Sequence, residues 1–498
     1  MRLFIIIIFL TISFQFVNAQ HWCGTNQSDE FMKPLVENKK HWDQTLSRSN
    51  ETRFSPVTIH LVGRDDGTGR FSEELAYRAM CLLNERFFDL GTNMQFYIKE
   101  FNEINASRVF DDPRNNIGFM RSAKDRTSMN IYVVNQISSG ATGTTLGFYT
   151  GGINDFIVMR AVNFGDSSFT LEHELGHFFT LAHTHRGWED VPWNPGDTSR
   201  VELITISSSQ SAPVQVELVD GSNCETAADF LCDTPADYGS TFLCGCCSAQ
   251  GFCRDRNGEI LEPMNNNIMS YSARCDDWAF SPNQITAMQA SYDAVNRAFL
   301  RTDENTVTEY RPITDSITGL SPALGTMLPQ FDRVELSWDP VANADFYEVV
   351  VSGEAFRTEE TSYILTTLAP NSFPVVWSVR AFNIFGGGCA PGTELFFGVG
   401  NEMTSAVNNI DLVSDVNVFP NPAQKNDQIT ISLTSASAFS ADVSLYDING
   451  KLVSQERNVQ FGTGNNNYNM DLNALQSGIH ILEIQSQSGT VVEKLIID

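Results

Sequence analysis

Basic side chains are scarce in this chain. Its 32 lysines and arginines stand against 60 aspartates and glutamates, a net charge of −28 over 498 residues. Such a surface repels phosphate, which excludes nucleic acid and anionic membrane as partners. Long apolar runs are missing too. Residues 3–10 form an apolar run too short to cross a bilayer, so no transmembrane anchor is expected. Met1-Arg2 before it and Val17-Asn18-Ala19 after it make residues 1–19 a secretory signal, cut before Gln20.

Histidine is also scarce, eight in all, yet four of them fall between His173 and His185. The stretch reads Glu172-His173-Glu174-Leu175-Gly176-His177-Phe178-Phe179-Thr180-Leu181-Ala182-His183. On a helix, residues i and i+4 share a face, so His173 and His177 can offer two ring nitrogens to one cation. Glu174, beside them, can take a proton from water. His183 lies too far round a straight helix to join them, so the chain must turn sharply after Phe179. Three protein ligands and one open position suit a catalytic zinc rather than a structural one. Glu189 or Glu202 is the rival third ligand, but His183 already stands at the right distance.

The pattern HELGHFFTLAH resembles the zinc signature of the metzincins, and Asn267-Ile268-Met269-Ser270-Tyr271 resembles their methionine turn. Three further stretches are similar to the pappalysin branch of that clan. They are Met129-Asn130-Ile131-Tyr132-Val133-Val134, Asp229-Phe230-Leu231-Cys232-Asp233-Thr234-Pro235-Ala236-Asp237, and the run from Asn267 through Cys275 to Gln284. The resemblance spans residues 55–300. It implies an α/β metzincin-like catalytic domain, a mixed sheet above an active-site helix, and a zinc endopeptidase. It also implies that Met269 packs beneath the zinc ligands as support and that Tyr271 approaches the metal or the oxyanion. Asp229, Asp233 and Thr234 match a loop that binds calcium in some members, and carboxylates on a turn suit that hard cation. One position departs from the pattern: Thr180 stands where metzincins usually have glycine. A β-branched residue at positive φ carries about 1–3 kcal/mol of strain. Zinc contributes about 10–16 kcal/mol in small structural sites, so the turn is expected to survive.

Residues 20–54 are polar and lack apolar periodicity, so they read as a propeptide. A Cys23 thiolate could fill the metal's open position and hold the enzyme latent, making Cys23 a possible latency switch. A disulfide is the other reading of Cys23. Ten cysteines in an exported chain point to disulfides. Eight lie between Cys81 and Cys275, and if these pair among themselves Cys23 and Cys389 are left over. Cys244-Gly245-Cys246-Cys247 could instead hold a second metal.

Within 55–300 the periodicity predicts strands at 57–62, 94–98, 130–134 and 156–159, a helix at 73–88 and the zinc helix at 171–179. After residue 301 short alternating strands predict two all-β sandwich domains. Leu336-Ser337-Trp338-Asp339-Pro340 followed by Tyr347-Glu348-Val349 resembles a fibronectin type III module, here 315–399. Val418-Phe419-Pro420-Asn421-Pro422, the hairpin around Asn449-Gly450, and Gly478-Ile479-His480-Ile481-Leu482 resemble the sorting domain of type IX secretion, here 416–498. That resemblance implies the type IX machinery as a partner and a place outside the cell or on its surface. The expected function is zinc-dependent hydrolysis of protein or peptide substrates, with Glu174 as general base. The alternative is a surface adhesin or binding protein whose protease-like domain does not cut. An intact Glu174 and three intact histidines favour the enzyme.

Overall fold

The computed structural model describes residues 23–497 apart from 49, 138–144, 166–167, 190–199, 208–212, 240–252, 272–276, 303, 330–332, 367, 369–371, 390–393, 401–412, 426, 448–450, 473–474 and 487–488. The expected signal segment, the Cys244–Cys247 cluster and the Asn449-Gly450 turn lie outside the described residues. The chain divides into two units. The first runs through Tyr310 and includes Ile384–Cys389; the second comprises Arg311–Asn383 and the residues after Cys389.

The first unit is a mixed α/β domain. Strands β1 (Arg53–Gly63), β2 (Met94–Asn105), β3 (Met129–Val134), β4 (Gly147–Thr150) and β5 (Phe156–Arg160) form one sheet in the order β2-β1-β3-β5-β4. β1 is parallel to β2 and β3, and β3 is parallel to β5. β4 runs antiparallel to β5 and forms the edge. β1 is buried along nearly its whole length, as befits an inner parallel strand covered on both faces. Val57, Ile59 and Leu61 face a core shared with Ala76, Met80, Leu83 and Phe87 of the helix Glu73–Asp89. Ser72 starts that helix by accepting from the Leu75 amide, and Glu73 and Glu74 suit its positive end. On the other face Val62, Tyr132, Val134, Phe148 and Phe156 form a second cluster.

The segment read as a propeptide is folded. Asp29–Lys39 is a helix, and its Met32 and Leu35 enter the main core. The helix carries four apolar residues, Phe31, Met32, Leu35 and Val36, but Pro34 stands among them, which argues against reading a helix from sequence. A boundary at residue 54 falls inside β1, where Arg53 and Phe54 pair with Met94 and Gln95. The cysteine bookkeeping also needs correction. Cys389 is not left over: it is bonded to Cys81, so the eight upstream cysteines do not all pair among themselves. Cys224 bonds Cys232, and Cys23 is the free cysteine among the described residues.

In the second unit, Phe346–Val351, Glu354–Thr358, Ser372–Asn383, Leu395–Gly400 and Thr326–Pro329 share one sheet, and Val334–Ser337 pairs with Ser362–Leu365. Leu336, Trp338, Tyr347, Val349 and Trp377 fill the space inside. Further along, Val413–Phe419, Gln428–Ser435 and Gly464–Asp471 form a three-stranded sheet. Leu452–Phe461, Phe439–Asp447, Gly478–Ser486 and Gly489–Ile497 form a four-stranded one. Ile431, Leu433, Val443, Leu445, Leu482 and Leu495 close the core of this last sandwich. Among the described residues no helix is long and apolar enough to cross a membrane.

Candidate metal centre

The helix that carries His173, Glu174 and His177 is Thr170–Phe178, and all nine of its residues are buried. Its ends are tied by cations that sequence reasoning missed. Arg86 pairs with Glu172 at 2.7 Å and lies over the Phe169 ring. Buried Arg297 donates to the Phe178 carbonyl at 2.6 Å, at the negative end of the helix, while Asp155 at 2.6 Å balances its charge. Neither arginine lies near the histidines in sequence, so no local signal marks them.

The chain turns after Phe179 as the spacing requires. Thr180 takes φ +76°, and the Leu181 amide donates back to the Gly176 carbonyl at 2.8 Å. This left-handed turn on a β-branched residue is the strained form; the backbone does not relax to other angles. It brings His183 back to the helix. The Nε2 atoms of His173, His177 and His183 lie 3.1–3.2 Å from one another.

The opposite ring nitrogens explain why the three can face a cation. His173 Nδ1 meets the Ile268 carbonyl at 2.7 Å, and His177 Nδ1 meets the Leu181 carbonyl at 2.7 Å. A carbonyl only accepts, so Nδ1 carries the proton and Nε2 presents a lone pair. His183 Nδ1 has Glu189 at 3.4 Å, which places Glu189 behind a histidine ligand rather than in its stead. The rival Glu202 is exposed. Burial holds His173 at about 4 and His177 well below the usual histidine range, so both rings are neutral at neutral pH. Convergent, neutral, buried imidazoles fit a zinc ion. Cys23 Sγ joins them, 3.3 Å from His177 Nε2, and the four donor atoms form one group.

Glu174 is fully buried, and burial pushes its carboxyl up to about 8. Met269 is buried under the helix. A Cβ on Gly176 would meet its sulfur at 2.4 Å, so that helix position needs glycine. The methionine turn is fixed by a reciprocal amide pair, Asn267 with Gln284, at 2.8 and 3.1 Å. Gln284 also completes the capping box of the helix Pro282–Asp293 with Ser281. Tyr271 packs on the His183 and His185 rings and donates to the Cys23 carbonyl at 3.2 Å.

Of the three residues read as a calcium loop, Asp229 and Thr234 are bonded to each other, while Asp233 is also bonded elsewhere. Asp233 accepts from Ser281 Oγ at 2.8 Å and the Asn283 amide at 2.7 Å, so it secures a helix start. Asp229 is buried and accepts from Thr234 Oγ1 at 3.0 Å and the Leu231 amide at 3.0 Å. Glu217, which sequence reasoning did not single out, is buried nearby. Burial, followed by the charges of Asp229 and Asp237, raises its carboxyl far above the usual range. Burial raises Asp229 as well.

Residues 417–498 match the family described as secretion system C-terminal sorting domain. The chain is therefore sent out by type IX secretion, to the outer surface or beyond it. No curated protein matches it. Among solved structures, a Tannerella forsythia promirolysin mutant is similar at 18% identity and TM-score 0.37, over 58% of this chain and 99% of that one. The protein FN3tt is similar at 18% identity and TM-score 0.15, over 18% and 98% of the two chains. Fibronectin(III)-like modules of Clostridium thermocellum CbhA are similar at 12% identity and TM-score 0.15, over 36% and 92%. At such scores the likenesses carry no weight for the site; its own geometry does.

Proposed function

We propose that this chain is a secreted zinc endopeptidase with a metzincin-like catalytic domain of the pappalysin kind, made as a latent precursor. The observation that carries the reading is the convergence of three histidine Nε2 atoms beside Glu174, with two of the rings held in the right tautomer by backbone carbonyls. His173, His177 and His183 would hold the zinc, which when bound supplies Lewis-acid polarisation of water and of the scissile carbonyl. Glu174 takes the proton from the attacking water and passes it to the leaving amine. The Tyr271 hydroxyl, which already donates to a backbone carbonyl at this spot, steadies the oxygen as it gains charge. Met269 gives the histidines a fixed floor.

Cys23 supports latency. Its sulfur stands among the ligand nitrogens and its carbonyl fills the place offered by Tyr271. In this reading the segment ahead of β1 is removed on activation, and the sandwich at 315–399 is a fibronectin type III-like module. Protein or peptide chains are the substrates. A calcium ion is proposed at the loop of Asp229, Asp233 and Thr234, because carboxylates and a hydroxyl on one turn suit that hard cation.

The test is casein cleavage by the processed chain together with elemental analysis. One zinc per chain and loss of cutting in Glu174→Gln are expected. Full activity in that variant, or no bound transition metal, refutes the reading. For the second cation, calcium is expected to raise the melting temperature of the parent and not of Asp229→Asn.

A further inference from the structure

The segment that carries Cys23 does more than present a sulfur. It lies along the free edge of β4. Cys23 bridges Gly147 in parallel fashion, and the Gly24 amide donates to the Gly147 carbonyl at 3.0 Å. The next group on the edge is the Tyr149 amide, and a backbone carbonyl does not meet it. It donates instead to the side-chain oxygen of Thr25, at 2.8 Å. The same hydroxyl donates to Glu174 Oε2 at 3.1 Å. Thr25 is 1% exposed, so water does not compete for either bond. A hydroxyl can accept from an amide and donate to a carboxylate at once, whereas a valine of the same shape can do neither.

The segment is anchored again just beyond. Gln27 accepts from the His183 amide at 2.7 Å, and its own carbonyl accepts from Arg186 at 2.9 Å. Arg186 also pairs with Asp29 at 2.9 Å. Thr25 is thus pinned between two fixed points, with its hydroxyl on the oxygen that must receive a proton from water.

We propose that Thr25 is a second lock, which withholds Glu174 while Cys23 blocks the histidine cluster. The proposal rests on the assignment of Glu174 as general base. Cys23 reaches both the histidines and Glu174, and Thr25 adds a contact on Glu174 that does not depend on the cysteine. Removing the cysteine alone therefore leaves the precursor partly latent.

The test uses the intact chain and four variants: Cys23→Ala, Thr25→Val, Thr25→Ser, and Cys23→Ala with Thr25→Val. Cleavage of a quenched peptide is followed before self-processing begins, and hydrogen exchange of the β4 region is read in parallel by mass spectrometry. A buried hydrogen bond is worth about tenfold, so Cys23→Ala should stay about tenfold or more below the processed enzyme. Adding Thr25→Val should raise it about tenfold further. Thr25→Val alone should speed exchange around Tyr149 by about tenfold, with Thr25→Ser close to the parent in both measurements. The proposal is overturned if Thr25→Val matches the parent in exchange, if Thr25→Ser matches Thr25→Val, or if the double variant cuts no better than Cys23→Ala. A processed Glu174→Gln enzyme that still cuts removes the base assignment itself. That outcome is distinguishable, because the exchange difference at β4 reports the Thr25 contact whatever Glu174 does.

Discussion

In the strand Gln428–Ser435 every second residue is buried: Ile429, Ile431, Leu433 and Ser435. In the helix Thr170–Phe178 all nine are buried, and Glu172, His173, Glu174 and His177 are among them. The side chains on the strand's inner face are mostly apolar, and apolar burial is non-directional and tolerant of substitution. The helix carries polar groups that each demand a partner, and Arg86, Ile268 and Leu181 supply them through a salt bridge and two carbonyls. Burial in the first case makes a shape. In the second it fixes protonation and direction, which is what chemistry needs.

The sharpest way to break that contrast is Glu174→Gln, which keeps shape and removes the proton acceptor. Cleavage by the processed chain is expected to fall by about a thousandfold, measured on a quenched peptide, with the thermal transition unmoved. Next comes Leu433→Ala in the strand. It should cost the sorting sandwich about 3 kcal/mol in denaturant unfolding and leave peptide cleavage untouched.

His60 offers a buried polar group outside the metal centre. It bonds Asn130 at 2.8 Å and stacks on Tyr132, and burial lowers it to about 4. Its folded value lies below its unfolded one, so the neutral ring is the native form. The stability it confers is fully present above about pH 6.5 and fades as pH falls toward about 4, a loss of roughly 3 kcal/mol. Unfolding midpoints over that window should slope for the parent and flatten for His60→Gln. The smallest effect is at Thr180, whose φ of +76° suits glycine. Thr180→Gly should stabilise the first unit by about 1 kcal/mol; a loss of stability would show that the threonine is not strained.

The same contrast explains what could be read in advance. The sandwich strands announced themselves by period-two alternation, and the histidines by their spacing on one turn-and-a-half of helix. Thr25, Gln27, Arg297 and Glu217 gave no such sign. Each is a single polar residue whose meaning comes from a neighbour more than ten residues away: Glu174, His183, Phe178 and Asp229. Asp233 has a task that its own string does not show. It sits in a calcium-like string, yet its oxygens go to a helix start 48 and 50 residues on. The helix Asp29–Lys39 escaped notice because Pro34 interrupts the short apolar face made by Phe31, Met32 and Leu35.

The bond between Cys81 and Cys389 closes a ring of chain 308 residues around. Any single nick inside that ring leaves the fragments joined until a reductant is added. A nick after Cys389 has no such safeguard, so one cut suffices to part the sorting sandwich from the polypeptide that carries the histidines. The covalent map thus divides the chain into a stretch that survives casual proteolysis as one particle and a tail that can be shed.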